Sequence, residues 1–175
     1  MKNILILILT LALSSTPLLA EDAADQKQLE LGLFQSGVVA QVLVKSGQKV
    51  KKGDTLLKLD QKQLQQRVKA CKVRIEMLEL AEMEAEREYE RNEELYDRGL
   101  LADRDIQNAE IIYLKAQTEL EMARADSVNA RKALEYSTLK APFNGEIRAV
   151  MAYPGMAVIN QMSITPLIIL APTGK

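Results

Sequence analysis

The side chains that most often perform catalysis or bind metals are scarce in this sequence. Its 175 residues include no histidine, and Cys71 is the one cysteine. Histidine is the commonest general base and the commonest metal ligand, and structural zinc sites need several Cys or His side chains. The composition therefore excludes a Cys/His zinc site, a Ser/His/Asp triad and a Cys/His nucleophile. We expect no metal, no cofactor and no catalytic residue.

Charged side chains are abundant, but their balance and placement do not indicate an active site. Lys and Arg number 23 against 24 Asp and Glu, a net charge of −1, so the chain lacks the overall positive charge expected of a protein that neutralises the phosphates of a nucleic acid. Ten of the acids lie between Glu76 and Asp97, where they are typical of a solvated helix without a cleft. The sequence favours a binding or scaffolding protein, not an enzyme.

The first twenty residues are typical of an export signal. Lys2 precedes an apolar run from Ile4 to Leu13, and Ala20 suits the end of a cleaved segment. The run is short for a membrane span, so we expect cleavage before Glu21. Retention as an uncleaved anchor is the alternative.

Glycine and proline divide the rest of the chain into three segments. No proline lies between Pro17 and Pro142, and Gly99 is the only glycine between Gly53 and Gly145. A long stretch without these residues favours helix, and their clustering on both sides favours turns and strands. The sequence therefore predicts an α+β protein whose helical middle separates two β-rich flanks.

The two flanks repeat each other at an offset of 108 residues. The offset matches five pairs: Gly37 with Gly145, Val39 with Ile147, Val42 with Val150, Gly47 with Gly155, and Val50 with Val158. Strands of this kind, bounded by glycine turns, predict two similar β half-motifs that are each too small to enclose a core. Turns that need a positive φ are expected at Gly37, Gly47, Gly53, Gly145 and Gly155.

Both halves of the helical middle carry apolar residues at alternating intervals of three and four. In the first half these residues are Leu64, Val68, Cys71, Ile75 and Leu78, and in the second the pattern runs from Ile106 to Leu134. Two such helices joined by a short turn predict an antiparallel coiled-coil hairpin. Gly99 is expected to end the first helix and Asp103 to be the N-cap of the second.

Stretches in both flanks resemble the halves of a biotinyl/lipoyl-like domain. The first half is carried by Gly37–Val39 and Gly47–Leu56, and the second by Leu139–Ile147 with Gly155 and Val158. A lipoyl-like half, a helical hairpin and a second half, in that order, are similar to the membrane fusion proteins. These are periplasmic adaptor subunits of the HlyD and RND-associated family. The resemblance implies a biotinyl/lipoyl-like β-sandwich (a barrel-sandwich hybrid) split by a long antiparallel α-helical coiled-coil hairpin.

The resemblance also implies the organisation and the partners of the chain. Together with the signal peptide at 1–20, it predicts a lead-in at 21–34, the first lipoyl-like half at 35–60, the hairpin at 61–136 with its tip near 98–102, and the second half at 137–172. Family members link an inner-membrane transporter of the RND, ABC or MFS class to a TolC-type outer-membrane channel through a homo-oligomeric ring. The chain is therefore expected in the periplasm, associated with the inner membrane through its partners.

In many adaptors the hairpin tip carries an arginine, a leucine four residues on and a serine seven residues beyond that. Here these positions are Arg91, Leu95 and Ala102, so the first two match and the hydroxyl of the serine is missing. Apart from the family, Arg91 could pair with Glu88 or Glu94, and Leu95 could pack within the hairpin. The resemblance predicts channel contact at Arg91, Leu95, Gly99, Leu100, Leu101 and Ala102.

The sequence departs from the usual adaptor pattern after the second lipoyl-like half. Adaptors usually continue into a β-barrel and a membrane-proximal domain, whereas this sequence ends at Lys175. A minimal adaptor, half of a split adaptor and a truncated, non-functional fragment are all open.

A biotin or lipoyl carrier is not expected, because the hairpin replaces the tight turn that would present its modified lysine. The remaining alternative is a structural coiled-coil spacer of the cell envelope without a transport role.

Overall fold

The computed structural model describes residues 28–159 and 165–173, so the predicted signal peptide and much of the lead-in lie outside the described residues. Two long helices are inserted between two groups of short strands, and the predicted α+β architecture is confirmed. The helices are α1 (Lys62–Asp97) and α2 (Asp103–Tyr136). The strands are β1 (Leu29–Leu31), β2 (Gly37–Val42), β3 (Lys49–Val50), β4 (Thr55–Leu59), β5 (Thr138–Lys140), β6 (Gly145–Val150), β7 (Ala157–Val158) and β8 (Ile168–Pro172).

The two helices run antiparallel and contact each other along a narrow interhelical seam. Leu78, Leu120 and Ala123 are buried in this seam, and Ile75 packs against them. The other buried residues of α2 are small, namely Ala109, Ser127 and Ala130. Small side chains on one helix allow a close approach, and each arm reaches roughly 50 Å at 1.5 Å per residue. In the described part of the chain, neither helix has an apolar stretch long enough to cross a membrane.

The strands form two antiparallel sheets of four strands each. Their orders are β1-β8-β6-β3 and β5-β4-β2-β7. The facing sides of the sheets enclose the main core, in which Leu56, Leu57, Ile147, Leu167, Ile168 and Leu170 are completely covered. The hairpin leaves this sandwich between β4 and β5, which are neighbours in one sheet.

The sequence repeat corresponds to an exchange of strands between the two halves. The long strand β2 of the first half pairs with the short β7 of the second, and β6 pairs with β3. The amide of Val39 donates to the carbonyl of Met156 at 2.9 Å, and the matching amide of Ile147 donates to the carbonyl of Gln48 at 2.9 Å. Neither half completes its sheet alone, so the sandwich forms only when both halves assemble.

Three of the five turn glycines have the positive φ that the sequence predicts. Gly47, Gly53 and Gly155 have φ of 80°, 92° and 88°. Two of these turns also follow the repeat, since the amide of Gly47 donates to the carbonyl of Ile147 at 2.7 Å and that of Gly155 to the carbonyl of Val39 at 2.8 Å. A glycine at these turns avoids the steric cost that a Cβ would add.

The prediction of a positive φ is wrong for Gly37 and Gly145, which begin β2 and β6. What requires a glycine at Gly145 is space, because a Cβ there would lie 2.3 Å from the carbonyl oxygen of Ala171. At Gly37 the nearest atom is Cδ1 of Leu59, at 3.1 Å. The two matched positions therefore differ in how strictly they exclude a side chain.

The base of the hairpin is fixed to the sandwich by hydrogen bonds around Ser137, which is completely buried. The side-chain amide of Gln61 donates to Oγ of Ser137 and to Oγ1 of Thr138, both at 2.8 Å. The hydroxyl of Ser137 donates to the carbonyl of Leu134 at 2.5 Å, and its own carbonyl accepts from the amide of Leu59 at 2.9 Å. These bonds hold both helix ends at the sheet edge and so set where the hairpin points.

Candidate functional site

The turn that joins the helices is closed by backbone hydrogen bonds. Gly99 has a φ of 71°, and its amide donates to the carbonyl of Tyr96 at 2.8 Å. The amide of Leu100 donates to the carbonyl of Leu95 at 2.9 Å. Together these bonds form a Schellman motif, the helix ending that a glycine of positive φ favours. Gly99 thus ends α1 as predicted, and the tip has a defined backbone.

The two residues that match the adaptor pattern differ in exposure. Arg91 is exposed, and its guanidinium forms an ion pair with Glu88, one of the two partners considered from the sequence. Leu95 is half-buried, and its carbonyl takes part in the Schellman motif. An exposed ion pair one turn apart contributes little free energy, so Arg91 can exchange Glu88 for another carboxylate at small cost.

The two apolar residues of the turn are also unequal. Leu101 is half-buried, whereas Leu100 is 71% exposed and is the most exposed of the large apolar side chains in the described part of the chain. Burying a leucine is favourable by about 1.5–3 kcal/mol relative to leaving it in water. Leu100 therefore supplies a free-energy gain to any partner that covers the tip.

Helix α2 does not begin where the sequence predicts. Ala102 is the N-cap, with φ −81° and ψ 150°, and Asp103 is the first helical residue. The carbonyl of Ala102 accepts from the amide of Asp105 at 2.9 Å, but alanine has no side-chain oxygen to cap the first turn. The serine of the adaptor pattern would supply this cap. The substitution at this position thus removes a helix cap as well as a hydroxyl at the tip.

Asp103 instead connects the two helix ends. A hydrogen bond between its carboxylate and the hydroxyl of Tyr96 raises the pKa of Tyr96, and the negative charges of Asp103 and Asp97 act in the same direction. Tyr96 is the last apolar side chain of α1, so this bond joins the outgoing helix to the returning one.

Sequence reasoning missed two arginines beside the turn. Arg98 is the C-cap of α1, and Arg104 lies in the first turn of α2. Both are exposed, and neither forms an ion pair with a residue that the structure describes. The sequence signal that could have identified them is the position of two arginines close to Leu100 in a region rich in acids. The tip therefore presents an exposed leucine between Arg98 and Arg104 in the sequence, with Asp97, Asp103 and Asp105 beside them.

This arrangement is suited to recognising a protein surface. Guanidinium groups bind carboxylates in a directional way, and an exposed leucine fits an apolar depression. Among residues 28–159 and 165–173, no group of three or more His, Cys, Asp or Glu side chains is placed to hold a metal ion.

Comparison with known proteins identifies the family. Residues 34–167 match the family described as "CzcB-like, barrel-sandwich hybrid domain". The chain belongs to this family. The match spans both lipoyl-like halves and the hairpin between them. The predicted barrel-sandwich hybrid split by a helical hairpin is confirmed, and so is the resemblance to the membrane fusion proteins.

Two curated relatives show how far the similarity extends. The chain is 30% identical over 158 residues to "Pyoverdine export membrane fusion protein PvdR" of Pseudomonas aeruginosa, which covers 82% of this chain and 40% of PvdR. It is 29% identical over 130 residues to an uncharacterized protein of Haemophilus influenzae, which covers 73% of this chain and 30% of the relative. The chain spans less than half the length of these curated relatives.

Two solved structures share the fold. MacA from Actinobacillus actinomycetemcomitans superposes with a TM-score of 0.69 at 20% identity, over 82% of this chain and 48% of MacA. ZneB from Cupriavidus metallidurans gives a TM-score of 0.60 at 22% identity, over 85% of this chain and 62% of ZneB. At this level of identity the likeness establishes the arrangement of sandwich and hairpin.

Proposed function

We propose that this protein is a periplasmic adaptor of a tripartite efflux or secretion system. In this proposal the signal segment exports the chain, and the hairpin tip binds a TolC-type outer-membrane channel. Copies of the chain form a ring that connects the channel to an inner-membrane transporter of the RND, ABC or MFS class. Membership of the membrane fusion protein family supports this role. The name of PvdR, with 30% identity, describes an export protein.

The observation that carries the proposal is the exposure of Leu100 at the far end of the hairpin. A rod of roughly 50 Å places this side chain away from the sandwich, and the Schellman motif at Gly99 fixes its position. A structural spacer has no need for an exposed leucine at a fixed tip, because exposure is unfavourable unless a partner covers the residue. We infer that the partner is the channel.

The charges of the tip further specify the contact. Arg98 and Arg104 flank the turn in the sequence and form no ion pair with a described residue, whereas Arg91 lies about two helical turns before Arg98 and pairs with Glu88. The channel surface is therefore expected to present carboxylates around an apolar pocket that accepts Leu100. Ala102 contributes no hydroxyl to this contact, so a channel that relies on a serine at this position would bind more weakly.

The experiment is capture of a TolC-type channel from the same organism by the purified chain. Leu100→Asp and Arg91→Glu are each expected to weaken binding by about tenfold or more, as substitutions at the centre of an interface do. Leu43→Asp is the matched control, because Leu43 is also exposed, at 48%, but lies in the sandwich directly after β2. It is expected to bind as the unaltered chain does.

The helical circular dichroism of each variant separates a lost contact from a lost fold. Leu95→Asp is expected to weaken binding as well, but Leu95 is half-buried, so part of its effect arises within the hairpin. If Leu100→Asp and Arg91→Glu both capture the channel with unchanged affinity and unchanged helicity, the tip contact is wrong. The envelope spacer then becomes the better explanation.

A further inference from the structure

The end of the sandwich farthest from the hairpin carries exposed lysines. Strand β4 runs from Thr55 at this end to Leu59 beside α1, and its five residues at about 3.3 Å each set the two ends roughly 15 Å apart. The turn before β4 contains Lys51 and Lys52, and Lys140 of β5 lies opposite Thr55. All three lysines are exposed.

Hydrogen bonds hold the segments that carry these lysines together. The amide of Gly53 donates to the carbonyl of Ala141 at 2.8 Å, and the amide of Lys52 donates to Oδ1 of Asn144 at 2.8 Å. These bonds join the turn before β4 to the chain that follows β5. The lysines of both segments therefore have fixed backbone positions at one end of the sandwich.

The segment after β2 brings a fourth lysine to this end. The amide of Leu43 donates to the carbonyl of Leu56, next to the start of β4, at 2.8 Å. Lys45 follows two residues later and is exposed. We call this group of four side chains the basic end: Lys45, Lys51, Lys52 and Lys140.

Little negative charge offsets the basic end. None of its four lysines forms an ion pair with a residue that the structure describes. Asp54 belongs to the same turn, and its carboxylate accepts a hydrogen bond from the amide of Lys51 at 2.8 Å. Glu146 in β6 pairs with Arg148 at 3.3 Å. Four lysines against Asp54 leave a local charge of +3 in a chain whose net charge is −1.

Most of the acids of α1 lie far from the basic end. The ten acids between Glu76 and Asp97 begin fourteen residues after Lys62, the first residue of α1, which is about 21 Å along the helix. Electrostatic attraction falls off within a Debye length, about 8–10 Å at physiological ionic strength. An anionic surface therefore attracts the basic end without repelling the acidic part of the hairpin, and the hairpin points away from it.

The residue type at the basic end suits a lipid bilayer better than a protein surface. All four side chains are lysines, which are flexible point charges, and the group lacks the planar, bidentate guanidinium of arginine. Protein interfaces are depleted of lysine and enriched in arginine. Lysines spread over three segments match the diffuse charge of anionic headgroups, which attract each basic side chain near the surface.

We propose that the basic end binds the headgroups of an anionic phospholipid bilayer. The inference goes beyond the proposed function, in which the chain reaches the inner membrane through a transporter. It concerns the end of the molecule opposite Leu100 and does not depend on the tip binding a channel.

The test is co-sedimentation of the exported chain, purified from the periplasm, with vesicles of equal phosphatidylglycerol and phosphatidylcholine. The chain is expected to bind these vesicles and not vesicles of phosphatidylcholine alone. Lys51→Gln with Lys52→Gln is expected to weaken binding about twentyfold, because each lysine near an anionic surface accounts for about fivefold. The hydrogen bonds of both residues in this turn use backbone atoms, so the circular dichroism is expected to stay unchanged.

The matched control removes the same charge from the hairpin. Lys69→Gln with Lys115→Gln replaces two exposed lysines that also form no ion pair with a described residue. This variant is expected to bind the anionic vesicles as the unaltered chain does. Raising NaCl from about 0.1 M to about 1 M is expected to release the unaltered chain, because the Debye length falls from about 10 Å to about 3 Å.

Four results would overturn the proposal: no binding to the anionic vesicles, equal binding to neutral ones, an equal loss in the control, or binding that persists at about 1 M NaCl. Retention on a polyglutamate resin without binding to vesicles would instead assign the basic end to an acidic protein surface. The vesicles contain no channel, so failure of the tip contact and failure of this contact are distinguishable.

Discussion

The sandwich and the hairpin of this protein use their apolar residues in opposite ways. The sandwich encloses sixteen buried apolar residues in one cluster, whereas the much longer hairpin has a cluster of three. The hairpin is not poor in apolar residues, because Val73, Met77, Leu80 and Met122 are all more than half exposed. The sandwich is thus stabilised by its own core, and the hairpin leaves much of its apolar surface exposed.

The difference explains how so small a β domain supports so long a projection. A packed core resists deformation, and the hydrogen bonds of Gln61 and Ser137 attach the helices to it at the sheet edge. Along the hairpin, the exposed ion pairs contribute little free energy. Most of the stability of the hairpin is therefore expected from the packing of its seam, because helices in proteins are stabilised mainly by tertiary packing of one face.

The largest expected effect compares one core residue from each region. Ile147→Ala in the completely covered core of the sandwich is expected to lower the free energy of unfolding by about 2–5 kcal/mol. Leu78→Ala in the seam is expected to lower the free energy of unfolding by about 2 kcal/mol, the lower end of this range, because a narrow seam collapses more easily around the lost volume. Urea unfolding followed by circular dichroism measures both. Equal losses would contradict the contrast between the two regions.

An intermediate effect separates the two matched halves of the sandwich. Gly145→Ala is expected to cost about 1–3 kcal/mol, because its Cβ would meet a backbone oxygen at 2.3 Å. Gly37→Ala is expected to cost less, because the methyl group of Leu59 at 3.1 Å belongs to a side chain that can move. The same unfolding measurement ranks the two substitutions. A larger loss of stability for Gly37→Ala than for Gly145→Ala would contradict the steric difference between the two matched glycines.

The smallest expected effect is a gain of stability at the hairpin tip. Ala102→Ser provides the missing N-cap of α2 and is expected to stabilise the helix by about 1 kcal/mol. Ala81→Ser, at an exposed position within α1, is the control and is expected to destabilise by about half that amount through lower helix propensity. Thermal unfolding at the helical signal distinguishes the two. A serine at 102 that destabilises the protein would contradict Ala102 as the N-cap.

Much of the fold could be predicted because its signals are local. The absence of proline and the heptad spacing are properties of neighbouring residues, and they predict both helices and the turn at Gly99. The repeat was visible because its halves kept a constant offset from Gly37 to Val158. The candidate site was predicted in part, since Leu100 was named from the sequence but Arg98 and Arg104 were not.

The sequence by itself determined the helical hairpin, its length and its position between two β half-motifs, because helix periodicity and glycine turns depend on nearby residues. Only the tertiary structure decided that β2 pairs with β7 and β3 with β6, since these strands are about a hundred residues apart and no local pattern specifies their register. It also decided that space requires a glycine at Gly145 and that Ala102 occupies the N-cap position of α2. Each of these depends on atoms that approach one another only after the chain has folded.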